Sequence, residues 1–415
     1  MTSNAHHKRA TCRVCGGNSL RLFLSLGNQP LANSFLKSSE EFLSEENYPL
    51  DVYVCTTCYL VQLLDVINPE VLFRHYIYVT GTSDTIASHN RQYAAAVVNQ
   101  LGLGKQDLVV EIASNDGSLL SCFLENGVRV LGIEPATNIA EIARQNGVDT
   151  VNQFFNSQLA EQVLAEYGTA RAVIGNNVLA HVDETLDFVQ GCKTLLAPGG
   201  LVIFEVPYLG ELLNHLEYDT VYHEHLCYFS ISSLVSLCEA VGLSLERIDH
   251  VPVHGGSLRM YAGRQEDYSN HSDQVLKMVE EEERMGLKDL GRYQRFAQLV
   301  EQTRSDLVRL LTSLRREGKI IAAYGAPAKG NTLLNYCAIG TDLITYTVDK
   351  NSLKIGMYTP GMHLPVLPVN TLLERLPDYV LILAWNFADE IMRQQAEYHQ
   401  RGGRFIIPIP EPVVV

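Results

Sequence analysis

One strand–turn–helix–strand pattern places the strongest limit on the fold of this chain. Residues 107–113 (Asp-Leu-Val-Val-Glu-Ile-Ala) predict a strand, and Ser114–Gly117 form a turn into a helix over residues 118–126. A second strand over residues 129–133 ends at Glu134. In such a βαβ unit, a carboxylate about twenty residues past the turn can hold the hydroxyls of a nucleotide ribose. We therefore expect an α/β domain that binds a nucleotide-type cofactor.

The elements that follow continue the alternation of strands and turns. A strand over residues 172–175 leads into a loop that contains Asn176 and Asn177, and the turn 198–200 (Pro-Gly-Gly) leads into a strand over residues 201–207. This order resembles the class I S-adenosylmethionine methyltransferases. A Rossmann-like domain for NAD is the alternative interpretation, because a carboxylate after the second strand suits the ribose of either cofactor.

The first turn departs from the usual glycine pattern. Two or three glycines are common there, whereas this chain has only Gly117 and carries Ala113 where a glycine is expected. An alanine tolerates this turn only if its φ angle is negative, because a residue with a Cβ atom is strained in the left-handed region. We therefore expect a negative φ angle at Ala113.

Two Cys-x-x-Cys pairs lie near the start of the chain, Cys12 with Cys15 and Cys55 with Cys58. Four thiolates in this pattern match the closed tetrahedral site of a structural zinc ion, which leaves no coordination position for a substrate. We expect a small zinc-binding lobe that braces the active site, with residues 26–30 as a loop. Free thiols or redox pairs are the alternative. The remaining cysteines are scattered and are expected to be buried.

The segment 217–230 concentrates the most chemistry, because Tyr222, His223, Glu224 and His225 are consecutive. Histidine titrates near neutral pH and an adjacent carboxylate can tune it, so we expect proton transfer here. A regular strand would separate Tyr222 and Glu224 from His225, and we therefore predict an irregular segment. The alternative is a polar turn with one structural histidine. A zincin-type metal site is disfavoured, since His-Glu-His differs from His-Glu-x-x-His.

The stretch 254–259 (His-Gly-Gly-Ser-Leu-Arg) is a glycine-rich turn that carries a guanidinium. We interpret His254 and Arg259 as substrate contacts, with a β-turn between two strands as the alternative. Residues 272–316 are charged and helix-periodic, which predicts a helical connector.

A second α/β unit begins with a strand over residues 319–324. A turn then leads into a helix, and the later strands complete an open parallel-sheet pattern. Lys329, Asn331 and Thr332 lie at the start of that helix, where a lysine and backbone N–H groups favour phosphate. The spacing differs from that of a Walker loop, and a substrate diphosphate is favoured here over a second cofactor.

Composition limits the partners of this 415-residue chain. Its net charge of −15 argues against a nucleic-acid partner, which would need a basic face, but a few local cations can still hold a phosphate. No signal peptide is visible and the apolar runs are too short to span a bilayer. The low cysteine density fits reduced thiols. We expect a cytoplasmic enzyme with no membrane partner. Its oligomeric state is left open, a monomer included.

Together these blocks resemble the sugar C-methyltransferases of the deoxysugar pathways, in particular those that act at C-3′ of dTDP-linked 4-keto sugars. The resemblance covers nearly the whole chain and implies three parts within an α/β fold. These are a zinc-binding lobe over residues 1–75, a class I methyltransferase Rossmann-like domain over 76–260, and a helical connector with a C-terminal Rossmann-like domain over 261–415. It implies S-adenosylmethionine and structural zinc as cofactors. A dTDP-linked keto sugar would lie between the last two domains.

The resemblance also implies roles at matching positions. His225 is the expected base, with Tyr222 and Glu224 beside it and His181 and Tyr76 completing the pocket. The expected cofactor-binding residues are Glu111, Ala113, Asn115, Gly117, Glu134, Asn176 and Asn177. The expected substrate contacts are His254, Arg259, Lys329, Asn331 and Thr332.

The implied reaction begins at the sugar C-3 atom, whose proton is acidified by the ketone at C-4. His225 would remove that proton, Tyr222 or His181 would donate to the developing oxyanion, and the carbanion would attack the sulfonium methyl in line. Three alternatives stay open. They are methylation at C-5 or at an oxygen of a nucleotide sugar, an NAD-dependent nucleotide-sugar oxidoreductase, and a zinc-knuckle adaptor with a decayed methyltransferase domain.

Overall fold

The computed structural model describes residues 5–74, 84–252, 256–268 and 270–415. Its sheets and flanking helices confirm the predicted α/β class. The strand that opens the βαβ unit, Leu108–Ile112, is buried at every position. A parallel sheet is covered by helices on both faces, so its strands read as continuous apolar runs. This is why the α/β pattern was readable from the sequence.

The N-terminal lobe is built from a long antiparallel hairpin and shorter strands. Its elements are β1 (His6–Lys8), β2 (Leu20–Pro30), β3 (Asn47–Cys55), β4 (Val61–Leu63), β5 (Asp65–Ile67) and α1 (Pro69–Phe73). The prediction of a loop over residues 26–30 is wrong, because β2 continues to pair with β3 as far as Pro30. A register shift between Ser25 and Asn28 absorbs Gly27, which has a φ angle of 77°.

The central domain holds a seven-stranded sheet. Its elements are α2 (Asp84–Leu101), β6 (Leu108–Ile112), α3 (Ser118–Glu125), β7 (Arg129–Ile133), α4 (Thr137–Gln145), β8 (Thr150–Val151), α5 (Ser157–Tyr167), β9 (Ala170–Asn176), α6 (Thr185–Leu195), β10 (Leu196–Pro207), α7 (Leu209–Asn214), β11 (Cys227–Tyr228), α8 (Ile231–Val241), β12 (Leu243–Val251) and β13 (Ser257–Arg264). The strand order is β12-β13-β10-β9-β6-β7-β8, with β13 antiparallel to β10 and β12. The predicted boundary at residue 260 falls inside β13.

The C-terminal part consists of a helical pair and a six-stranded sheet. Its elements are α9 (Asp273–Arg284), α10 (Leu290–Arg316), β14 (Ile321–Tyr324), α11 (Ala328–Cys337), β15 (Thr347–Asp349), β16 (Val366–Pro368), α12 (Thr371–Arg375), β17 (Tyr379–Ile382), α13 (Ala388–Gln394), α14 (Ala396–Gln400), β18 (Arg404–Ile407) and β19 (Val413–Val414). Helices α9 and α10 confirm the helical connector. The sheet order is β16-β15-β14-β17-β18-β19, with β19 antiparallel to β18.

Both larger sheets reverse their strand order beside their first strand. In the central sheet the reversal lies between β6 and β9, and in the C-terminal sheet it lies between β14 and β17. Open α/β sheets bind ligands in the crevice at such a point, outside the carboxyl ends of the strands. The topology therefore offers two ligand crevices.

The segment that carries the four consecutive polar residues ends in the N-terminal sheet. Strand β11 pairs with β4 and completes the sheet order β11-β4-β3-β2. Next to this pair, Leu63 N–H donates to the Leu226 carbonyl at 2.9 Å and Leu226 N–H donates to the Ala180 carbonyl at 2.7 Å. The zinc-binding lobe thereby fixes the backbone immediately after His225.

Candidate active site

A cavity of about 1000 Å³ opens where the three parts of the chain meet. Its volume lies at the upper end of the range for small-molecule and cofactor sites. The carboxyl ends of β6, β7 and β9 line one side, and the turn after β14 lines the other. The predicted site residues in its wall are Glu111, Ala113, Asn115, Glu134, Asn176, Asn177, His181, Tyr222, Glu224, His225 and Lys329.

The four cysteines of the two knuckles come together in the N-terminal lobe. Their Sγ atoms all lie within 4.8 Å of one another. The Cys12–Cys58 and Cys15–Cys55 distances are both 3.5 Å. A tetrahedral zinc ion with Zn–S bonds of about 2.3 Å needs sulfur–sulfur distances of about 3.8 Å, so this cluster fits the ion. The predicted structural zinc site is confirmed.

The first Cys-x-x-Cys pair contacts the cavity wall through Arg13, which lies between its two cysteines in the chain and is buried. Its guanidinium donates to Asp183 Oδ1 at 3.1 Å and to the Leu63 carbonyl. Gln62 donates to the Sγ atom of Cys12 at 3.1 Å from a strand that also pairs with β11. Asp183 follows His181 by two residues in the chain. The zinc site is therefore linked, through Arg13, to the segment that carries His181.

The turn after β6 has an unusual backbone. Ala113 and Asn115 have φ angles of 56° and 49°, in the left-handed region, and Asn177 in the loop after β9 has one of 53°. The expectation of a negative φ angle at Ala113 is therefore wrong. Such a conformation costs a non-glycine residue about 1–2 kcal/mol and persists where the surrounding structure enforces it. Here the Asn115 N–H donates to Glu134 Oε2 at 2.9 Å, which fixes the turn against the end of β7.

Gly117 has a different task from the residues around it. It is the N-cap of α3 with a φ angle of 75°. A Cβ atom at this position would lie 2.8 Å from Val148 Cγ2. The glycine therefore allows both the left-handed cap and the close packing of α3, rather than a direct approach to a ligand.

Two buried acceptors on this side of the cavity suit a cationic cofactor. Glu111 Oε2 and Asn176 Oδ1 have no hydrogen-bond partner within the described parts of the chain. Burial, and then the negative charges of Asp116, Glu134 and Glu205, raise the pKa of Glu111 well above its ordinary value. A positively charged ligand with N–H or O–H donors would relieve both features. S-adenosylmethionine carries a sulfonium, an amino group and ribose hydroxyls, so the residues fit it.

Residues 221–226 form an irregular turn, as predicted. The His225 N–H donates to the Tyr222 carbonyl at 2.8 Å, which closes the turn. This bend brings the Tyr222 hydroxyl within 2.8 Å of His225 Nε2. His223 points the other way, towards the Tyr48 and Pro49 carbonyls at 3.3 and 3.2 Å, and is buried. The turn therefore separates one structural histidine from one that faces the cavity.

The hydrogen bonds of His225 define its tautomer. Its Nδ1 lies 2.9 Å from the Thr220 carbonyl oxygen, which can only accept, so a neutral ring carries its proton on Nδ1. Nε2 then carries the lone pair of the ring and accepts the hydrogen bond that the Tyr222 hydroxyl donates. A histidine held in this way can accept a proton at Nε2. The orienting group is a backbone carbonyl, which the sequence could not single out.

Burial shifts the pKa values of His181 and Glu224 away from those of exposed side chains. The His181 ring meets the His225 ring edge-on, with centroids 4.8 Å apart. Desolvation lowers the pKa of His181 to about 4, so the ring is neutral near pH 7. Burial raises the pKa of Glu224 to about 7, and its Oε1 accepts a hydrogen bond from Asn33 at 2.7 Å. Glu224 thus bridges the central domain to the N-terminal lobe.

The predicted substrate contacts have different positions. Lys329 lines the cavity at the start of α11. Asn331 is fully buried and donates to the Ala32 carbonyl at 2.8 Å, so it holds two lobes together, and Thr332 is buried as well. Neither lies in the cavity wall that the described residues form. The helix start predicted to bind phosphate therefore presents mainly Lys329.

Arg259 is also placed differently from the prediction. It lies in β13, ion-pairs with Glu205, and stacks on Tyr93 with the guanidinium carbon 3.7 Å from the ring centre. Strand β12, which ends at Val251, pairs antiparallel with β13, which begins at Ser257. Tyr76 and His254 lie outside the described residues.

Three family models match the chain in succession. They are a "Putative zinc binding domain" over residues 12–73, a "Methyltransferase domain" over 86–248 and a "C-methyltransferase C-terminal domain" over 252–410. The "C-methyltransferase NovU" of Streptomyces niveus is 39% identical over 404 residues, which are 97% of this chain and 96% of that protein. The chain is an S-adenosylmethionine-dependent C-methyltransferase.

Other similarities of this C-methyltransferase are partial. A "Ubiquinone biosynthesis O-methyltransferase" of Colwellia psychrerythraea is 29% identical over 98 residues, 23% of this chain and 40% of that protein. Among solved structures, the magnesium protoporphyrin IX methyltransferase (ChlM) from Synechocystis PCC 6803 with bound SAM matches 45% of this chain and 88% of its own, at 18% identity and a TM-score of 0.33.

Membership of this family decides between the alternatives that the sequence left open. An NAD-dependent oxidoreductase, an inactive adaptor and an O-methyltransferase do not agree with a match to a C-methyltransferase over nearly the full length of both chains. In the described parts of the C-methyltransferase, no helix combines the length and the apolar character that a membrane span requires.

Several polar residues of the C-methyltransferase were not singled out by sequence reasoning. Asn33 reaches Glu224 from the N-terminal lobe, and Lys354 lies in the cavity wall with its Nζ 2.8 Å from the Ala326 carbonyl. Burial lowers the pKa of Lys354, although Asp349 and Glu224 oppose this effect. Asn33 and Lys354 lie in loops with no local pattern. Only the tertiary structure brings them to the cavity.

Proposed function

We propose that this enzyme transfers the methyl group of S-adenosylmethionine to the C-3′ carbon of a dTDP-linked 4-keto deoxysugar. The observation that carries the proposal is the tautomer of His225, whose Nε2 is left as an acceptor in a cavity shared by both α/β domains. A carbon is methylated only after it loses a proton, and an adjacent ketone makes this loss feasible.

His225 acts as the general base in this proposal. Its Nδ1–H is held by the Thr220 carbonyl, so the proton leaving C-3 goes to Nε2. The imidazolium that forms keeps the same Nδ1–H contact, and the ring need not turn. General-base assistance of this kind typically contributes about 10²–10⁴-fold.

The electrons from the C–H bond move towards the C-4 oxygen and give an enolate. The Tyr222 hydroxyl donates a hydrogen bond to Nε2 of His225. When Nε2 takes the proton, this hydroxyl can donate to the C-4 oxygen instead. His181 is uncharged because its pKa is about 4, so it can stabilise this oxygen through an N–H hydrogen bond but not as a cation. One such donor is worth roughly 2.7–4 kcal/mol in the transition state. S-adenosylmethionine, when bound, would supply an electrophilic methyl group: the bond from C-3 to the methyl carbon would form as the sulfur–methyl bond breaks, and S-adenosylhomocysteine would leave.

Charge at the two sides of the cavity supports the choice of substrates. The side formed by β6 and β7 carries the carboxylates Glu111 and Glu134, which favour a sulfonium ligand. The side formed by the turn after β14 carries Lys329 at the start of α11, which favours a diphosphate. The finer assignments, namely dTDP, the 4-keto group and C-3′, rest on the resemblance to sugar C-methyltransferases.

The replacement His225→Asn tests the base. We expect deuterium washout at C-3 of a dTDP-4-keto sugar and methylation to fall together, by about 10²–10⁴-fold. The matched control is His223→Asn, because His223 belongs to the same turn but contacts backbone carbonyls of the N-terminal lobe. Wild-type exchange in the His225 variant would remove His225 from this role. Product NMR would distinguish a methyl group at C-3′ from one at C-5.

A further inference from the structure

Asp219 is a fully buried carboxylate in the turn that precedes His225. Its Oδ2 accepts a hydrogen bond from the Trp385 indole at 2.6 Å. Its Oδ1 has no partner within the described parts of the chain. Burying a carboxylate is costly unless it has a compensating partner, so a position of this kind calls for a specific role.

Trp385 belongs to the C-terminal domain and follows β17, at the crevice where the sheet order reverses. The Nζ atom of Lys329 lies 4.2 Å from the centre of its ring system, within the range of a cation–π contact. Lys329 lines the cavity, and the residues on both sides of the Trp385 backbone, Ala384 and Asn386, do so as well. Asp219 is therefore linked through Trp385 to Lys329, the group that would meet the sugar nucleotide.

The residue after Asp219 holds the catalytic ring. The Thr220 carbonyl receives the Nδ1–H of His225 at 2.9 Å, and the Thr220 hydroxyl donates to the Glu217 carbonyl at 2.7 Å. The Thr220 carbonyl belongs to the peptide unit directly after the one that joins Asp219 to Thr220, so a shift of the backbone at Asp219 would move the acceptor of His225. Displacement of a catalytic group by about 1 Å can cost on the order of 100-fold in rate.

We propose that Asp219 is a positioning residue that ties His225 to the sugar-nucleotide side of the cavity through Trp385 and Lys329. This inference rests on the proposed function. The hydrogen bond from Trp385 to Asp219 fixes one end of the turn, and the Thr220 carbonyl fixes the imidazole of His225. A ligand that binds Lys329 would act on the Trp385 ring, and through it on the turn and on the imidazole. The chain would thereby align its base when the substrate is bound.

The proposal is tested by Trp385→Phe and Asp219→Ala, each of which removes the indole–carboxylate hydrogen bond. We expect kcat and C-3 deuterium exchange to fall by about tenfold or more, with the KM for S-adenosylmethionine changed less than about twofold. Asp219→Asn keeps an oxygen acceptor for the indole and should recover most of the exchange. Tyr218→Phe is the matched control, because Tyr218 contacts Cys337 from the same turn.

Trp385 is the single tryptophan of the chain, so tryptophan fluorescence reports on the surroundings of this indole. Added dTDP should change the emission of the wild-type enzyme and of the His225→Asn variant equally. If dTDP neither binds nor changes the emission, the proposed function fails. Suppose instead that dTDP changes the emission, but that Trp385→Phe and Asp219→Ala both catalyse C-3 deuterium exchange at the wild-type rate per folded molecule. Then only the positioning role fails. A purely structural Asp219 would lower thermal stability and leave that rate unchanged.

Discussion

The central and C-terminal domains support the turn after their first strand in the same way. Each has a first strand that leads through a tight turn into a helix, and each ends its second strand with an acid. In the central domain the Asn115 N–H donates to Glu134 Oε2 at 2.9 Å. In the C-terminal domain the Ala326 N–H donates to Asp349 Oδ2 at 2.7 Å. The acid at the second strand is therefore in both cases a support of the turn.

The two domains differ in the charge that they present to the cavity. The central side carries Glu111, Glu134 and Glu205, whereas the C-terminal side carries Lys329 and Lys354. The same topology thus offers acceptors to a cation on one side and donors to an anion on the other. The comparison teaches that the βαβ unit fixes where a ligand binds, while the side chains at the strand ends decide its charge.

The largest expected effect concerns Glu224, which lies in the wall of the same cavity. Its pKa is raised from 4.5 to about 7, so its protonated form favours the folded state. That stability is present below about pH 4.5 and is lost as the pH rises to about 7. Glu224→Gln removes this loss of stability, so the free energy of unfolding of the variant should exceed that of the wild type by up to about 3 kcal/mol at pH 8.

Denaturant unfolding followed by circular dichroism at pH 5 and pH 8 measures this gain. Glu161→Gln, an exposed change on α5, is the control and should show equal differences at both pH values. An equal gain at both pH values for Glu224→Gln would mean that the carboxyl is not held protonated. The positive side of the cavity would then compensate its charge fully.

A second pair of variants separates the ligands of the two domains. Glu134→Gln should weaken S-adenosylmethionine binding, and Lys329→Met should weaken dTDP binding, each by about 10- to 100-fold, because a charged hydrogen bond is worth about 1.5–3 kcal/mol. Each variant should leave the other ligand's Kd within about threefold. Calorimetric titration of both ligands against both variants measures all four values. If one variant weakens both ligands alike, the division by charge is wrong.

The smallest effect concerns the strained turn of the central domain. Ala113→Gly should raise the unfolding free energy by about 1 kcal/mol, because glycine relieves the left-handed strain at a φ angle of 56°. Gly117→Ala should lower it, since a Cβ atom would lie 2.8 Å from Val148 Cγ2. Thermal unfolding compares the two. A destabilised Ala113→Gly would show that the alanine methyl group contributes packing that outweighs its strain.

Local patterns predicted the elements well and the backbone of the turn poorly. The strand 129–133 was predicted at the residues where the structure has it. The φ angle of Ala113 was predicted with the wrong sign, because the chain accepts strain there that no local preference indicates. Lys329 was singled out from its position at the start of a helix and lines the cavity, whereas Asn331 and Thr332 are buried.

The sequence by itself determined the α/β class, the zinc site and the concentration of titratable groups at residues 222–225, because apolar periodicity, Cys-x-x-Cys spacing and adjacent titratable residues are local signals. Only the tertiary structure decided the tautomer of His225, the partner of Glu224 and the contact between Asp219 and Trp385. These depend on backbone carbonyls and on residues up to 191 positions apart. Such contacts arise from the packing of whole domains, which no short stretch of sequence encodes.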